Sequence, residues 1–181
     1  MRDLWIFAYG SLMWRTGFPY EEAAPALITG SHRGLCVYSF VHRGTPRLPG
    51  LVLGLDAGGV CEGLAFRVSR GDRRKVIGYL RAREQATRVY REAERVVELR
   101  DGSHRQVRAL CYMVDRTHRQ YAGRLPLEVQ AALVRRGRGR SGDNIAYVVN
   151  TVKHLREQGI HDAGMERLLV RLGRGARLAC G

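Results

Sequence analysis

Glu84 is the side chain in this sequence with the clearest opportunity for proton transfer. It closes the run Arg81-Ala82-Arg83-Glu84, where a helix-like segment ends before a strand-like one. A carboxylate at such a junction can act as a general acid or base if the fold buries it, because burial raises its pKa. The alternative is a solvated surface residue, which is the common position of a glutamate at a helix end.

A second group that can do chemistry is the segment Tyr9-Gly10-Ser11-Leu12, which ends an apolar run beginning at Leu4. In a tight turn after a strand, the backbone N–H groups of Gly10, Ser11 and Leu12 can bind a carboxylate or a developing oxyanion. Gly10 has no Cβ, so a ligand can approach its backbone closely. The alternative is a plain strand-ending turn.

The common phosphate-binding, hydrolase and metal-binding motifs are missing from the sequence. It has no G-x-S-x-G elbow, no P-loop, no H-x-x-x-H and no C-x-x-C. We therefore expect no metal site and no disulfide framework. The four cysteines, which we expect to be buried or idle thiols, are Cys36, Cys61, Cys111 and Cys180.

Strand-like segments fill the first two thirds of the chain, and helix-like segments fill the last third. The strands are predicted over 4–9, 26–40, 51–56, 60–68, 89–99 and 106–114, with turns at Gly30-Ser31, Ala57-Gly58-Gly59 and Asp101-Gly102. The helices are predicted over 71–84, 125–136, 143–158 and 162–172. This segregation predicts an α+β fold, a small mixed or antiparallel β-barrel with flanking helices. We expect one domain over 1–181, with a flexible tail at 173–181.

The formal net charge of +14 permits a nucleic-acid or acidic-membrane partner. All but two of the 31 basic residues are arginine, and they are spread along the chain. The densest run, Arg135 to Arg140, fits a phosphate contact or a solvated loop between helices. We favour the solvated loop and expect no nucleic-acid or membrane partner. The longest apolar runs are too short for a membrane span or a signal peptide, so a cytoplasmic protein is expected.

Five ordered segments of the chain resemble the ChaC-type γ-glutamyl cyclotransferases. They cover most of the sequence, and Arg124 departs from the family pattern by replacing a proline. The segments are Tyr9-Gly10-Ser11-Leu12-Met13-Trp14, His42-Arg43-Gly44-Thr45-Pro46 with Pro49-Gly50, Arg83-Glu84 with Tyr90, Tyr121 to Glu128, and Gly139 to Tyr147.

The resemblance implies a small β-barrel with helices and a reaction that needs no cofactor. In that reaction the α-amine of a γ-glutamyl group attacks its own γ-carbonyl, so that glutathione yields 5-oxoproline and Cys-Gly. The resemblance assigns the proton transfers to Glu84 and a glutamyl contact to Tyr147, which can equally be a core tyrosine. We expect Tyr9 to shape the pocket wall. Arg43 is expected either to bind the glycine carboxylate of glutathione or to be a surface arginine.

Proton transfer from the substrate sets a condition on the surroundings of Glu84. A free glutamate has a pKa of about 4.3 and an α-amine about 7.7–8, so the transfer is uphill by about 5 kcal/mol. Burial that raises the pKa of Glu84 reduces this cost, whereas a facing arginine increases it. We therefore expect Arg81 and Arg88, at helical spacings from Glu84, to point away from it or to bind the substrate's carboxylate.

Three alternatives stay open from the sequence. The substrate can be another γ-glutamyl amine or dipeptide, because the matching motifs concern the glutamyl half. The positive charge permits a nucleic-acid-binding protein with salt-dependent affinity. The barrel can also be a metabolite-binding module without turnover, although the presence of Glu84 argues against that. Oligomeric state is not readable from the sequence.

Overall fold

Five strands close into a β-barrel in the computed structural model of the protein, in the order β1-β3-β2-β4-β5. Strand β5 runs parallel to β1 through Trp5–Ala109 and Ile6–Leu110, which closes the barrel, while the pairs β1–β3, β2–β4 and β4–β5 are antiparallel. The strands are β1 (Leu4–Ala8), β2 (Glu22–Ser39), β3 (Gly50–Val68), β4 (Tyr90–Leu99) and β5 (Gln106–Val114). The predicted α+β class with a mixed barrel is confirmed.

The structure describes residues 3–85 and 87–178, and the side chains of residues 174–178 lie outside that description. The chain divides into two compact units. The first contains Met1–Arg33 and Gly54–His118, and the second contains Gly34–Leu53 and Arg119–Gly181. The expected single domain over 1–181 stays a prediction.

The burial of strand β1 explains why its sequence shows no alternation of apolar and polar residues. All five residues from Leu4 to Ala8 are buried. A strand covered on both faces has no solvent side on which a polar residue would be favoured. The antiparallel register with β3, from Leu4–Val68 to Ala8–Leu64, fixes where β1 ends and therefore where the Gly10-Ser11 turn begins.

Two of the predicted turns are wrong. The chain continues as strand through Gly30 in β2 and through Gly58 and Gly59 in β3. These glycines have φ values of 80°, 96° and 75°, a backbone conformation that other residues rarely adopt. Positive-φ glycines inside a strand bend it without ending it, which a closed barrel requires of long strands.

The hairpin of β4 and β5 is confirmed with its turn. The register runs from Tyr90–Val114 to Glu98–Gln106, and Gly102 has a φ of 90° in the connection. Helix α1 (Arg73–Glu84) precedes this hairpin in the chain, as predicted. The first unit therefore contains the strand pairs described above together with helix α1, which ends at Glu84.

The second unit contains three helices and a short two-stranded hairpin. The helices are α2 (Leu127–Arg136), α3 (Asn144–Glu157) and α4 (Ala163–Leu178), and the hairpin joins β6 (Arg138–Gly139) to β7 (Gly142–Asp143). The predicted tail is wrong over 173–178, because α4 continues through them to Leu178. Residues 179–181 of the predicted tail, with Cys180, lie outside the described residues.

Two further expectations from composition can be compared with the structure. The thiols of Cys36, Cys61 and Cys111 are buried, as expected. No helix within 3–85 and 87–178 combines the length and apolar character needed to cross a membrane.

Asn144 joins α3 to strand β3 inside the second unit. Its side chain is completely buried, accepts a hydrogen bond from the Leu51 N–H (2.6 Å) and donates one to the Leu51 carbonyl (2.8 Å). The backbone there is packed so closely that a Cβ on Gly137 would lie 2.6 Å from the Arg43 carbonyl oxygen. The Asn144 side-chain amide therefore provides hydrogen-bond partners for the N–H and carbonyl of Leu51, which are buried away from water.

Replacing Asn144 by alanine should destabilise the protein. The N144A variant leaves the Leu51 N–H and carbonyl buried without these partners, at a cost of about 1–3 kcal/mol for each group. Urea unfolding followed by circular dichroism measures the loss. Asn150, exposed on the same helix, is the matched control, and N150A should change the free energy of unfolding by no more than about 0.5 kcal/mol. Equal stability of N144A and wild type would contradict this role.

Candidate active site

Glu84 lies at the carboxyl end of α1, on the helix face that packs inward. Val76 and Leu80 are buried, and Glu84 follows them at the same four-residue spacing. The helix ends directly after it, where Gln85 has non-helical dihedrals and its N–H donates to the Arg81 carbonyl. The Glu84 side chain is 21% exposed, so it is partly buried while the end of the helix keeps it accessible.

Burial raises the pKa of the Glu84 carboxyl above its usual range, and the ion pair with Arg83 offsets part of that rise. The direction agrees with the requirement derived from the sequence, that a buried carboxylate must hold a proton more tightly than a free one. A more basic carboxylate reduces the uphill cost of taking a proton from an amine.

Arg81 points away from Glu84, as expected. Its guanidinium makes a two-pronged pair with Glu92 on β4, at 2.7 Å through Nε and 2.9 Å through Nη2. Within residues 3–85 and 87–178, no ion pair joins Arg88 to Glu84. Neither of these two arginines therefore depresses the pKa of Glu84 by direct pairing.

Arg83 is the residue of this site to which sequence reasoning assigned no role of its own. Its Nε lies 3.0 Å from the Glu84 carboxylate, and its Nη2 donates to the Ser11 hydroxyl at 3.0 Å. Its Nη1 donates to the Tyr79 hydroxyl at 3.1 Å and to the Arg15 carbonyl. One guanidinium therefore brings the predicted acid and the predicted turn together. Neighbours in a helix normally point apart, so the spacing rules that singled out arginines three and four residues away passed over the adjacent one.

The turn after β1 is a single turn of 3₁₀ helix over Ser11–Met13. Buried Leu12 and Met13 anchor it, and the Met13 N–H bonds to the Gly10 carbonyl at 2.9 Å. In the described part of the chain, nothing accepts a hydrogen bond from the N–H groups of Gly10, Ser11 or Leu12. This agrees with the predicted ability of the turn to accept an anionic oxygen.

Tyr9 is almost fully buried beneath this turn. Its hydroxyl donates to the Tyr112 carbonyl at 3.0 Å, and its own carbonyl accepts from Arg33 Nε at 2.5 Å. The Tyr112 hydroxyl in turn donates to Glu92 at 3.1 Å. The side chain of Tyr9 is thus fixed by the barrel, and its contribution to a pocket wall stays a prediction.

Arg43 and Tyr147, the remaining predicted site residues, contact each other in the second unit. The Arg43 guanidinium lies 5.3 Å from the centre of the Tyr147 ring, and its Nη1 donates to the carbonyls of Ser141 and Asp143 at 2.6 Å and 3.2 Å. The Tyr147 hydroxyl accepts from the Leu53 N–H at 3.1 Å. Both side chains are engaged within their own unit, and their roles toward a substrate stay predictions.

The closed barrel, with a partly buried carboxylate joined through Arg83 to the turn after β1, defines a candidate acid–base site. The chain belongs to the ChaC-like protein family, whose model matches residues 4–174. It is 32% identical to the glutathione-specific γ-glutamylcyclotransferase of Escherichia coli K12 over 167 residues, which cover 92% of this chain and 71% of that protein.

Other relatives and a solved structure agree. The human glutathione-specific γ-glutamylcyclotransferase 1 is also 32% identical, over 81% of this chain and 67% of that protein. The fold matches the crystal structure of a yeast γ-glutamyl cyclotransferase specific to glutathione, with a TM-score of 0.85 and coverage of 96% of this chain and 97% of the yeast chain. The sequence identity there is 21%, so this match supports the barrel fold.

The raised pKa of Glu84 predicts a pH-dependent stability difference between wild type and E84Q. A raised folded-state pKa means that ionising Glu84 costs the folded protein more than the unfolded chain. Stability is therefore lost in wild type as pH rises from the unfolded pKa through the folded one, whereas glutamine does not titrate. In thermal unfolding between about pH 4 and about pH 8, the Tm of E84Q minus the Tm of wild type should increase as pH rises.

The matched control for this measurement is Glu94→Gln, which changes an exposed carboxylate on β4. The Tm of E94Q minus the Tm of wild type should not increase over the same pH range. If the difference in Tm between E84Q and wild type did not change with pH, the Glu84 carboxyl would not be desolvated in the folded protein.

Proposed function

We propose that this protein is a γ-glutamyl cyclotransferase that acts on glutathione and releases 5-oxoproline and Cys-Gly. The observation that carries the proposal is the Arg83 guanidinium, which contacts the Glu84 carboxylate and the Ser11 hydroxyl together. The names of the relatives support the same reaction, since proteins matching most of this chain are called glutathione-specific γ-glutamylcyclotransferases.

The reaction needs a carboxylate that carries protons from the attacking nitrogen to the departing nitrogen. Glu84 takes one proton from the α-ammonium group, and the freed amine nitrogen bonds to the γ-carbonyl carbon to form a tetrahedral centre. Protonated Glu84 gives that proton to the cysteinyl nitrogen as its bond to the carbon breaks. The regenerated carboxylate then takes the second proton from the ring nitrogen and passes it to the released amine, so that 5-oxoproline keeps one N–H and Cys-Gly leaves as an ammonium. Because nucleophile and carbonyl belong to one glutamyl chain, holding that chain in a ring-closing shape supplies much of the acceleration.

The turn at Gly10-Ser11-Leu12 is suited to the negative charge of the glutamyl group. Its N–H groups can hold the γ-oxyanion as the tetrahedral centre forms, or the α-carboxylate before it. An oxyanion donor of this kind is worth about 2.7–4 kcal/mol of barrier. We propose further that Tyr9 lines the pocket, that Tyr147 contacts the glutamyl group, and that Arg43 contacts the glycine carboxylate.

The competing interpretations of the sequence gain less support. Several of the arginines lie beside carboxylates and so do not form a purely basic surface, which weakens the case for nucleic acid. Examples are Arg67 with Glu22, Arg81 with Glu92, Arg108 with Glu94, Arg116 with Asp56 and Arg171 with Glu128. A binding module without turnover would not require a carboxylate of raised pKa next to a cation and a turn.

A cytoplasmic location is proposed from the sequence composition.

Incubating the purified protein with glutathione should produce 5-oxoproline and Cys-Gly in equal amounts. The E84Q variant should lose about 10²–10⁴-fold in kcat, because glutamine cannot accept or return the proton. The control E94Q should keep wild-type kcat. Detection of 5-oxoproline by mass spectrometry measures both, and full activity of E84Q would remove Glu84 from the mechanism.

The leaving group is tested by a second substrate. γ-Glutamyl-alanine has the same glutamyl half as glutathione but lacks the Cys-Gly portion. A higher kcat/KM for glutathione supports recognition of that portion, and equal values would show that the enzyme accepts γ-glutamyl compounds generally.

A further inference from the structure

We propose that Arg83 is a positioning residue, whose guanidinium holds the Glu84 carboxylate and the Ser11 turn in one fixed arrangement. This inference rests on the proposed function, since it concerns the same acid. It assigns to Arg83 a role that the sequence spacing did not indicate, and it separates two effects of the side chain, its charge and its shape.

The geometry around Arg83 is that of a four-way clamp. A guanidinium has five N–H donors in a rigid plane. Four of them have partners here: Nε contacts Glu84, Nη2 donates to Ser11, and Nη1 donates to Tyr79 and to the Arg15 carbonyl. The side chain is 23% exposed, so most of the clamp is shielded from water.

The partners belong to two separate parts of the chain. Tyr79 and Glu84 are on α1, whereas Ser11 and Arg15 belong to the turn after β1. The planar guanidinium fixes the spacing between the two, because none of its nitrogens can move independently of the others. Loss of the clamp would leave the acid and the turn in place on their own elements but free to shift relative to each other.

The charge of Arg83 has a distinct effect, since it favours the ionised form of Glu84 against burial. Three other ionisable groups on the neighbouring elements pair with one another. Arg81 of α1 pairs with Glu92 of β4, and the Tyr112 hydroxyl of β5 donates to Glu92. The pKa of Tyr112 is raised, mainly by burial and with additions from Glu92 and Glu84, so Tyr112 is neutral. Arg83 is the cation that lowers the pKa of Glu84.

Lysine and methionine at position 83 separate charge from shape. Arg83→Lys keeps the positive charge, but a single ammonium nitrogen cannot reach four partners in two parts of the chain. Arg83→Met removes the charge and the clamp while keeping a long unbranched side chain. Arg108→Met is the matched control, because it breaks an exposed arginine–glutamate pair on β5 that does not involve α1.

The experiment measures kcat and KM for glutathione across pH in these variants. Both R83K and R83M should lose about 10–100-fold in kcat, because a misplacement of about 1 Å can cost 10²-fold. The acidic limb of kcat/KM should move to higher pH in R83M and stay near wild type in R83K. R108M should keep the wild-type profile. Wild-type kcat in either Arg83 variant, or an unshifted acidic limb in R83M, would overturn the proposal.

A second measurement keeps the test independent of turnover. The ¹³C carboxyl signal of Glu84, assigned by its absence in E84Q, can be titrated in wild type, R83M and R83K. The pKa should be higher in R83M than in wild type, and R83K should lie nearer to wild type. If wild type forms no 5-oxoproline, the proposed function fails and this titration still decides the role of the Arg83 charge. Should R83M not fold, the kcat of R83K still decides whether the clamp positions the acid.

Discussion

The balance between burial and one cation at Glu84 is the constraint on which the site depends. Burial raises the pKa of the carboxyl and favours its protonated form, whereas pairing with a cation lowers the pKa and makes the carboxylate a weaker base for an amine. Arg83 lies 3.0 Å from the carboxylate, yet the net effect on the pKa of Glu84 is upward. The carboxyl can therefore ionise but holds a returning proton more tightly than a free glutamate does.

The same guanidinium connects this electrostatic balance to the geometry of the barrel. Strand β1 is fixed by its register with β3, and it ends where the Ser11 turn begins. Helix α1 is fixed by Val76 and Leu80, and it ends at Glu84. Two element ends, each determined by packing of apolar residues elsewhere, are joined through polar contacts of a single side chain. Small changes in either element would thus change both the position and the pKa of the acid.

Most of the fold follows from sequence patterns, and its errors have physical causes. The β4–β5 hairpin was predictable because Asp101-Gly102 separates two strand-like segments and Gly102 adopts a positive φ. The turns predicted at Gly30 and Gly58-Gly59 are wrong because the same glycine preference serves bends inside long barrel strands. The four-residue series from Val76 through Leu80 to Glu84 is a signal in the sequence that predicts an inward-facing acid. The Arg83 contacts were not predictable, since they depend on how a helix end meets a distant turn.

The motif residues divide between the proposed site and the packing of the second unit. Ser11 and Glu84 meet through Arg83, whereas Asn144 secures the backbone of the second unit. A motif that marks a family therefore does not by itself mark a catalytic residue. The contacts of Arg43 with two backbone carbonyls and with Tyr147 show the same point, because a side chain expected at the substrate is also part of the local structure.

The most direct test of the central claim is a crystal structure of E84Q with glutathione bound. The α-amine should lie within hydrogen-bonding reach of the substituted side chain at position 84, about 2.6–3.2 Å away. The γ-carbonyl or α-carboxylate oxygen should accept from the N–H groups of the turn that begins at Ser11. Glutathione bound with its glutamyl group remote from both would contradict the account, whatever the activity of the wild-type protein.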